Sequence, residues 1–335
     1  MRLPIAITAL FALAACSAAA GTQAPASSSD AATGTLFVAN KRGASVSRID
    51  LANGEETQRV DTCENPHELS ISPDGERLIV ACYSGRSAEI YSIADLSPVE
   101  VLDLGEGARA HVALWLADDR VLAGAEGRGS IVQLLDVGGR LTGTFEHEVG
   151  EVGPHLLAVD VAANRAWGTI IPTGEVVLWD ITPGAIGELA RARIGNAIEA
   201  IALSPDASSL WVSSNEDNVA YRLDPVTLEV QAEVPTGEVP IRLAMHPSGD
   251  FVVSSNFGSG DLTVIDTATN GAVRTIPVSG SSDAVQVTLV FSEDGERLYA
   301  AETATDTIAE IDFASGEVLR RLPTGPGGDG LAIID

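Results

Sequence analysis

A motif that returns about every 44 residues constrains this chain more than any other feature. An apolar pair ending in aspartate recurs in RIDLANGE, LLDVGGRL, LWDITPGA, RLDPVTLE, VIDTATNG and EIDFASGE. This sets Asp50, Asp136, Asp180, Asp224, Asp266 and Asp312 in one register. YSIADLSP supplies a seventh copy, with Ser92 in the aspartate's place. Subtracting successive positions gives spacings of 42, 44, 44, 44, 42 and 46. A unit of that length cannot bury a core alone, so it must pack against its neighbours.

Each unit parses as four short strands. HELSIS is one strand and SPDGE a turn. RLIVAC is a second strand, AEIYSI a third and PVEVLDL a fourth. Asn53-Gly54, Asp74-Gly75, Asn270-Gly271 and Asp294-Gly295 punctuate the pattern as hairpin turns do. Helical periodicity is absent along the repeats. The pattern predicts an all-β, seven-bladed propeller over residues 35–335. The repeats begin at TLFVAN, a second strand without a first, and stop at GLAIID, a first strand with nothing after it. The last strand is therefore expected to complete the first blade and close the ring, which removes the unpaired edges of an open one. The repeated aspartates are expected to accept hydrogen bonds from the turns that follow them. Trp115, Trp167, Trp179 and Trp211 are expected to fill space between blades.

SPDGERLIVAC, TLFVANKRGASVSRID, FVVSSNFGSGDLTVIDTATNGAVRTIPV and FSEDGERLYAAE carry a family likeness. They resemble the YVTN-repeat propellers, and within them the YncE-like proteins. The resemblance extends over all seven repeats. Blades three and four depart from it, because LADDRVLAG and VAANRAWGT lack the Ser-Pro-Asp-Gly turn. It implies the fold and leaves the chemistry open, since related propellers include sugar lactonases and copper- or quinone-dependent enzymes.

The N-terminus reads as an address. MRLPIAITALFALAACSAAA has a positive Arg2, a short apolar stretch and Leu13-Ala14-Ala15-Cys16 in lipobox form. Residues 1–15 are expected to be a lipoprotein signal peptide. Cys16 is the expected lipidation site, and residues 16–34, rich in Ala, Ser and Thr, a flexible tether. Ser17 after the cysteine resembles outer-membrane sorting, so the expected place is the bacterial envelope, outer membrane, facing the periplasm. The expected membrane contact is the lipid alone, and the expected state a monomer. The chain has 47 acidic and 20 basic residues and a formal charge of −27. With no basic run, nucleic acid is not an expected partner. In an oxidising compartment Cys63 and Cys82 are candidates for a disulfide.

Candidate site residues come from the same register. His67 lies six residues before Pro73, and the equivalent positions are His111, His155, Glu199, Ile241, Val287 and Gly330. Three histidines and a glutamate thus occupy one place in four consecutive blades, at the start of the innermost strand. Arg242 follows one residue after Ile241. The loop between second and third strands opens on the same face and adds Glu126 and Glu302 as candidate ligands. Three readings stay open. A transition metal (Zn, Cu or Fe) on His67, His111 and His155 is one. An organic ligand facing the histidines and Arg242 is the second, and a structural polar lining the third. The leading function is ligand binding at the channel mouth. A lactonase-like or metal-dependent hydrolase with Glu199 as base is an alternative, and a protein-interaction scaffold another. The ligand or partner is not named by the sequence. Binding to a metal is expected to weaken below about pH 6.

Overall fold

A computed structural model describes residues 32–334, except 137–139. The signal peptide, Cys16 and residues 16–31 of the tether lie outside the described residues. No helix among the described residues is long and apolar enough to cross a membrane.

The described residues form twenty-eight strands, numbered here in chain order, in seven four-stranded antiparallel sheets. The innermost strands are β4 (Pro66–Ile71), β8 (Ala110–Trp115), β12 (Leu157–Asp160), β16 (Ile198–Leu203), β20 (Pro240–Met245), β24 (Gln286–Phe291) and β28 (Gly328–Ile334). β28 pairs with β1 (Thr35–Asn40), which continues to β2 (Ser45–Asp50) and β3 (Glu55–Asp61). The last strand of the chain therefore closes the ring.

Burial is greatest in the second strands and least in the fourth, and the sequence pattern follows it. Second strands such as β5 (Arg77–Cys82, RLIVAC) are buried on both faces, because neighbouring blades cover both. Fourth strands such as β3 (EETQRVD) alternate exposed and half-buried residues. The four tryptophans are buried in the packed blades. The Trp167 indole N–H also donates to the Pro225 carbonyl of the next blade at 2.7 Å.

Turn chemistry explains how the atypical blades keep the fold. In Ser72-Pro73-Asp74-Gly75, the Ser72 hydroxyl donates to Asp74, whose carboxylate also accepts the Glu76 N–H at 3.0 Å. Gly75 takes a left-handed φ of 72°. Blade three has Asp119 in that conformation and blade four Asn164, at φ 64° and 53°. Asp and Asn are the side-chain-bearing residues that tolerate this region best. Five of the six register aspartates cap their turns as expected, and the turn after Asp136 lies outside the described residues. Asp180 accepts from the Thr182 N–H, Asp224 from Val226 and Thr227, and Asp312 from Ser315.

Candidate functional site

The inner strands other than β12 are bulged near their first residues, and the bulges build most of the site. Pro66 faces Cys82 and Leu69 faces Val80, so His67 and Glu68 together oppose Ala81 alone. Glu199 and Ala200 oppose Ser213 in the same way, and Asp329 and Gly330 oppose Ala39. In β8 and β20 the extra residues are His111 and Ile241. A regular strand would send neighbouring side chains to opposite faces. A bulge re-aims them, so two successive residues can reach the axis. That is how His67 and Glu68 both contribute, and how Arg242 does so from the position after Ile241.

His67, His111 and His155 are brought together. The His67 and His111 ring centroids are 4.6 Å apart and those of His111 and His155 3.7 Å. All three are buried, as are Glu199 and Arg242. Tyr83, in the loop after β5, packs its ring 4.5 Å from His67 and 5.5 Å from His111. Among the described residues, the three imidazoles are not a set whose donor atoms all lie within 4.8 Å of one another.

A chain of charges runs through the cluster. His155 Nδ1 lies 2.8 Å from Glu126 and its Nε2 3.3 Å from Glu199. Arg242 reaches Glu199 at 2.8 Å and Glu68 at 3.2 Å. Glu68 stands on β4 and Arg242 on β20, three blades away by the shorter path round the ring, so this ion pair crosses the axis. Asn215 donates to Glu199, Tyr83 to Glu126 at 3.2 Å, and Arg109 to Tyr83. Lys41 meets the buried Asp329 at 3.1 Å.

These neighbours split the histidines into two kinds. Burial pushes the His67 pKa down to about 4. Its Nδ1 lies 3.1 Å from the Asn65 carbonyl, which sets that nitrogen as the donor and Nε2 as the one with the lone pair. Burial, with the nearby positive charge of His155, also holds His111 well below the ordinary value. His111 Nδ1 has no hydrogen-bond partner among the described residues. Burial opposes charge on His155 as well, but its hydrogen bond to Glu126 and the Glu199 carboxylate beside its Nε2 outweigh that and raise its pKa. Burial likewise works against ionising Glu199, and His155 and Arg242 overcome it, taking the carboxyl down to about 2. Burial raises the Glu68 pKa against the pull of Arg242.

Glu126 joins the cluster, and Glu302 does not join its hydrogen-bond chain. Arg321, on the outer strand Glu317–Pro323 of Glu302's own blade, holds Glu302 at 2.7 Å. Counting back from the register aspartates treats all such loops alike, whereas their side chains turn to different partners. Sequence reasoning missed Glu68, Tyr83, Arg109, Asn215, Asp329 and Lys41. The acidic residue directly after His67 was the one available signal, and reading it required the bulge. Cys63 and Cys82 are joined, with an S–S distance of 2.09 Å and Cα atoms 5.8 Å apart.

Fold and site together define a seven-bladed propeller with a buried charge network across its channel mouth. The family model described as YNCE-like beta-propeller matches residues 3–123. The chain is also similar to Antigen Lp49 of Leptospira interrogans serogroup Icterohaemorrhagiae serovar copenhageni, strain Fiocruz L1-130. The two are 34% identical over 106 residues, 31% of this chain and 22% of that protein. Among solved structures, a functionally unknown protein from Desulfotomaculum acetoxidans DSM 771 is 12% identical, with a TM-score of 0.75 over 90% of this chain and 99% of its own. The dihydro-heme d1 dehydrogenase NirN, in complex with DHE, is 16% identical, with a TM-score of 0.64 over 89% of this chain and 75% of its own. At such identities the structural likeness shows the fold alone.

Proposed function

We propose that the protein is a binding propeller that takes a small cation at the channel mouth, and that the donors suit a transition-metal ion. The observation that carries this reading is the pair His67 and His111. Both are buried and held uncharged, and His111 Nδ1 has no partner among the described residues. Neutral imidazole nitrogen is a donor for Zn, Cu, Fe and Ni. The carboxylates of Glu68, Glu126, Glu199 and Asp329 are matched by Arg242, Arg109, Lys41 and a protonated His155, so the cluster carries no excess positive charge to repel a cation. An organic acid would have to take Arg242 from two carboxylates that already hold it. The hydrolase alternative loses support, because a Glu199 carboxyl titrating at about 2 is a weak base at neutral pH. We further propose, on the lipobox at Cys16, that the propeller works tethered at the bacterial envelope.

The test is a thermal-shift titration of wild type, His67→Ala and His111→Ala with zinc, copper, a small organic amine and a sugar acid, at pH 7.5 and pH 5. Zinc or copper is expected to raise the melting temperature of wild type in proportion to the logarithm of its concentration. Either substitution is expected to remove that rise. Binding should persist at pH 5, because His67 titrates near 4 rather than near 6. A shift by the amine alone would keep the cation and discard the metal. A shift by the sugar acid alone, or a metal shift unchanged in both variants, would overturn the reading. No shift with any ligand would leave the scaffold alternative.

A further inference from the structure

A second group of side chains lies in blade two, apart from the charge network. Cys63 Sγ, Cys82 Sγ and a carboxylate oxygen of Glu89 all lie within 4.8 Å of one another. In the oxidised protein the two sulfurs are bonded to each other and can hold nothing else. Their backbone is also held by other bonds, and beside Cys63 the Thr62 N–H donates to the Ala44 carbonyl at 2.9 Å. Cys82 ends β5 and faces Pro66 in the ladder. The Tyr83 N–H donates to the Asn65 carbonyl at 3.2 Å, just beyond the bridge. Glu89 lies on the third strand, Ser87–Ser92, facing Val80.

We propose that reducing this disulfide turns Cys63, Cys82 and Glu89 into a site for a thiophilic divalent cation such as zinc. The balance is simple. A dithiol reductant donates two electrons and two protons, the S–S bond breaks, and the reductant leaves as its own disulfide. Metal binding then releases the two thiol protons, since thiolate is the ligand. At a Zn–S distance of about 2.3 Å and a tetrahedral angle, the sulfurs need a separation of about 3.8 Å. Side-chain rotation about Cα atoms 5.8 Å apart can supply that without moving the strands.

Glu89 is prepared for such a role. Its Oε2 accepts from the Thr62 hydroxyl at 2.9 Å and from the Tyr91 hydroxyl. Hydrogen bonds of this kind orient a metal-ligating carboxylate from behind. Cys82 is fully buried, whereas Cys63 and Glu89 are half-buried. Two thiolates and one carboxylate leave a fourth position open, which is the arrangement of an exchangeable site rather than a closed structural one. This inference does not rest on the reading of the histidine cluster.

The experiment is a cobalt(II) titration of the full chain in detergent, before and after reduction with a phosphine. The readout is the thiolate-to-cobalt charge-transfer absorption, which imidazole ligands do not give. The reduced protein is expected to develop that absorption to one cobalt per chain and to lose it to zinc. The oxidised protein and Cys82→Ser are expected to show none at stoichiometric cobalt. Glu89→Gln, reduced, should bind about ten- to a hundredfold more weakly. Absence of the absorption in the reduced protein would overturn the proposal. So would a cobalt affinity equal in Glu89→Gln and wild type, the result expected if reduction merely unfolded the blade and freed two thiols.

Discussion

The two ends of the central channel are made by the same seven strands, yet they differ in kind. Where the inner strands begin, bulges turn His67, Glu68, Glu199 and Asp329 inwards, and a charge network fills the mouth. Where β20, β24 and β28 end, the lining is mostly apolar. Met245, Leu289, Phe291, Ile333 and Ile334 border a cavity of about 530 Å³ there. The turns at that end repeat one device, a serine and an aspartate bracing the loop at Ser72, Ser204 and Ser292. The mouth repeats no side-chain set beyond three histidines. One end of a blade can thus serve assembly and the other be free to differ, because the ladder between them isolates the two.

Removing Arg242 should break the comparison most forcefully. Arg242→Met leaves Glu68 as a buried carboxylate without its cation and Glu199 with His155 alone. The expected loss is about 3–5 kcal/mol in urea unfolding. A loss under about 1 kcal/mol would mean that water already carries those charges and that the mouth is as forgiving as a surface.

Acid should separate the ends next. The folded chain keeps His67 uncharged down to about pH 4, while an unfolded chain takes up that proton near 6.5. Its contribution is therefore fully present above pH 6.5 and is lost as pH falls towards 4. The loss is roughly 3 kcal/mol for His67, partly offset by His155, whose raised pKa acts in the opposite sense. Glu199 extends the loss from about pH 4.5 towards 2. Urea midpoints measured from pH 7.5 to 4 should fall in wild type and flatten in a His67→Asn/His111→Asn double variant. Parallel curves would show that the histidines are not what the acid acts on.

The smallest effect belongs to the far end. Ser204 is buried, donates to Asp206 at 2.7 Å and accepts the Ser209 N–H at 3.0 Å. Ser204→Ala should cost about 1 kcal/mol and leave any ligand-induced shift in melting temperature untouched. A change in ligand response would mean that the two ends are coupled through the strand.

The ring was legible in the sequence because its determinants are local and periodic. Asp50, Asp180, Asp224, Asp266 and Asp312 each cap the turn that follows, so the residue recurs with the blade. The three histidines were legible for the same reason. Glu68 and Asp329 were not, because a period-two strand places them on the opposite face, and a bulge leaves no residue signature of its own. Blade four adds a second difference. The spacing predicts a strand through His155, and the ladder there starts at Leu157. Glu302 shares the register of Glu126, but its partner Arg321 comes from a strand that the register does not describe.

Closure by β28 also has a temporal meaning. β28 follows the other twenty-seven strands in chain order, so a chain made from its N-terminus onwards lacks the innermost strand of blade one until all of those have been made. That same segment brings Asp329, which meets Lys41 beside the mouth. The final step of assembly and the completion of the charged cluster are thus a single event. A molecule cut before β28 would lose both together, so that an intact charge network at the mouth reports whether the circle has been finished.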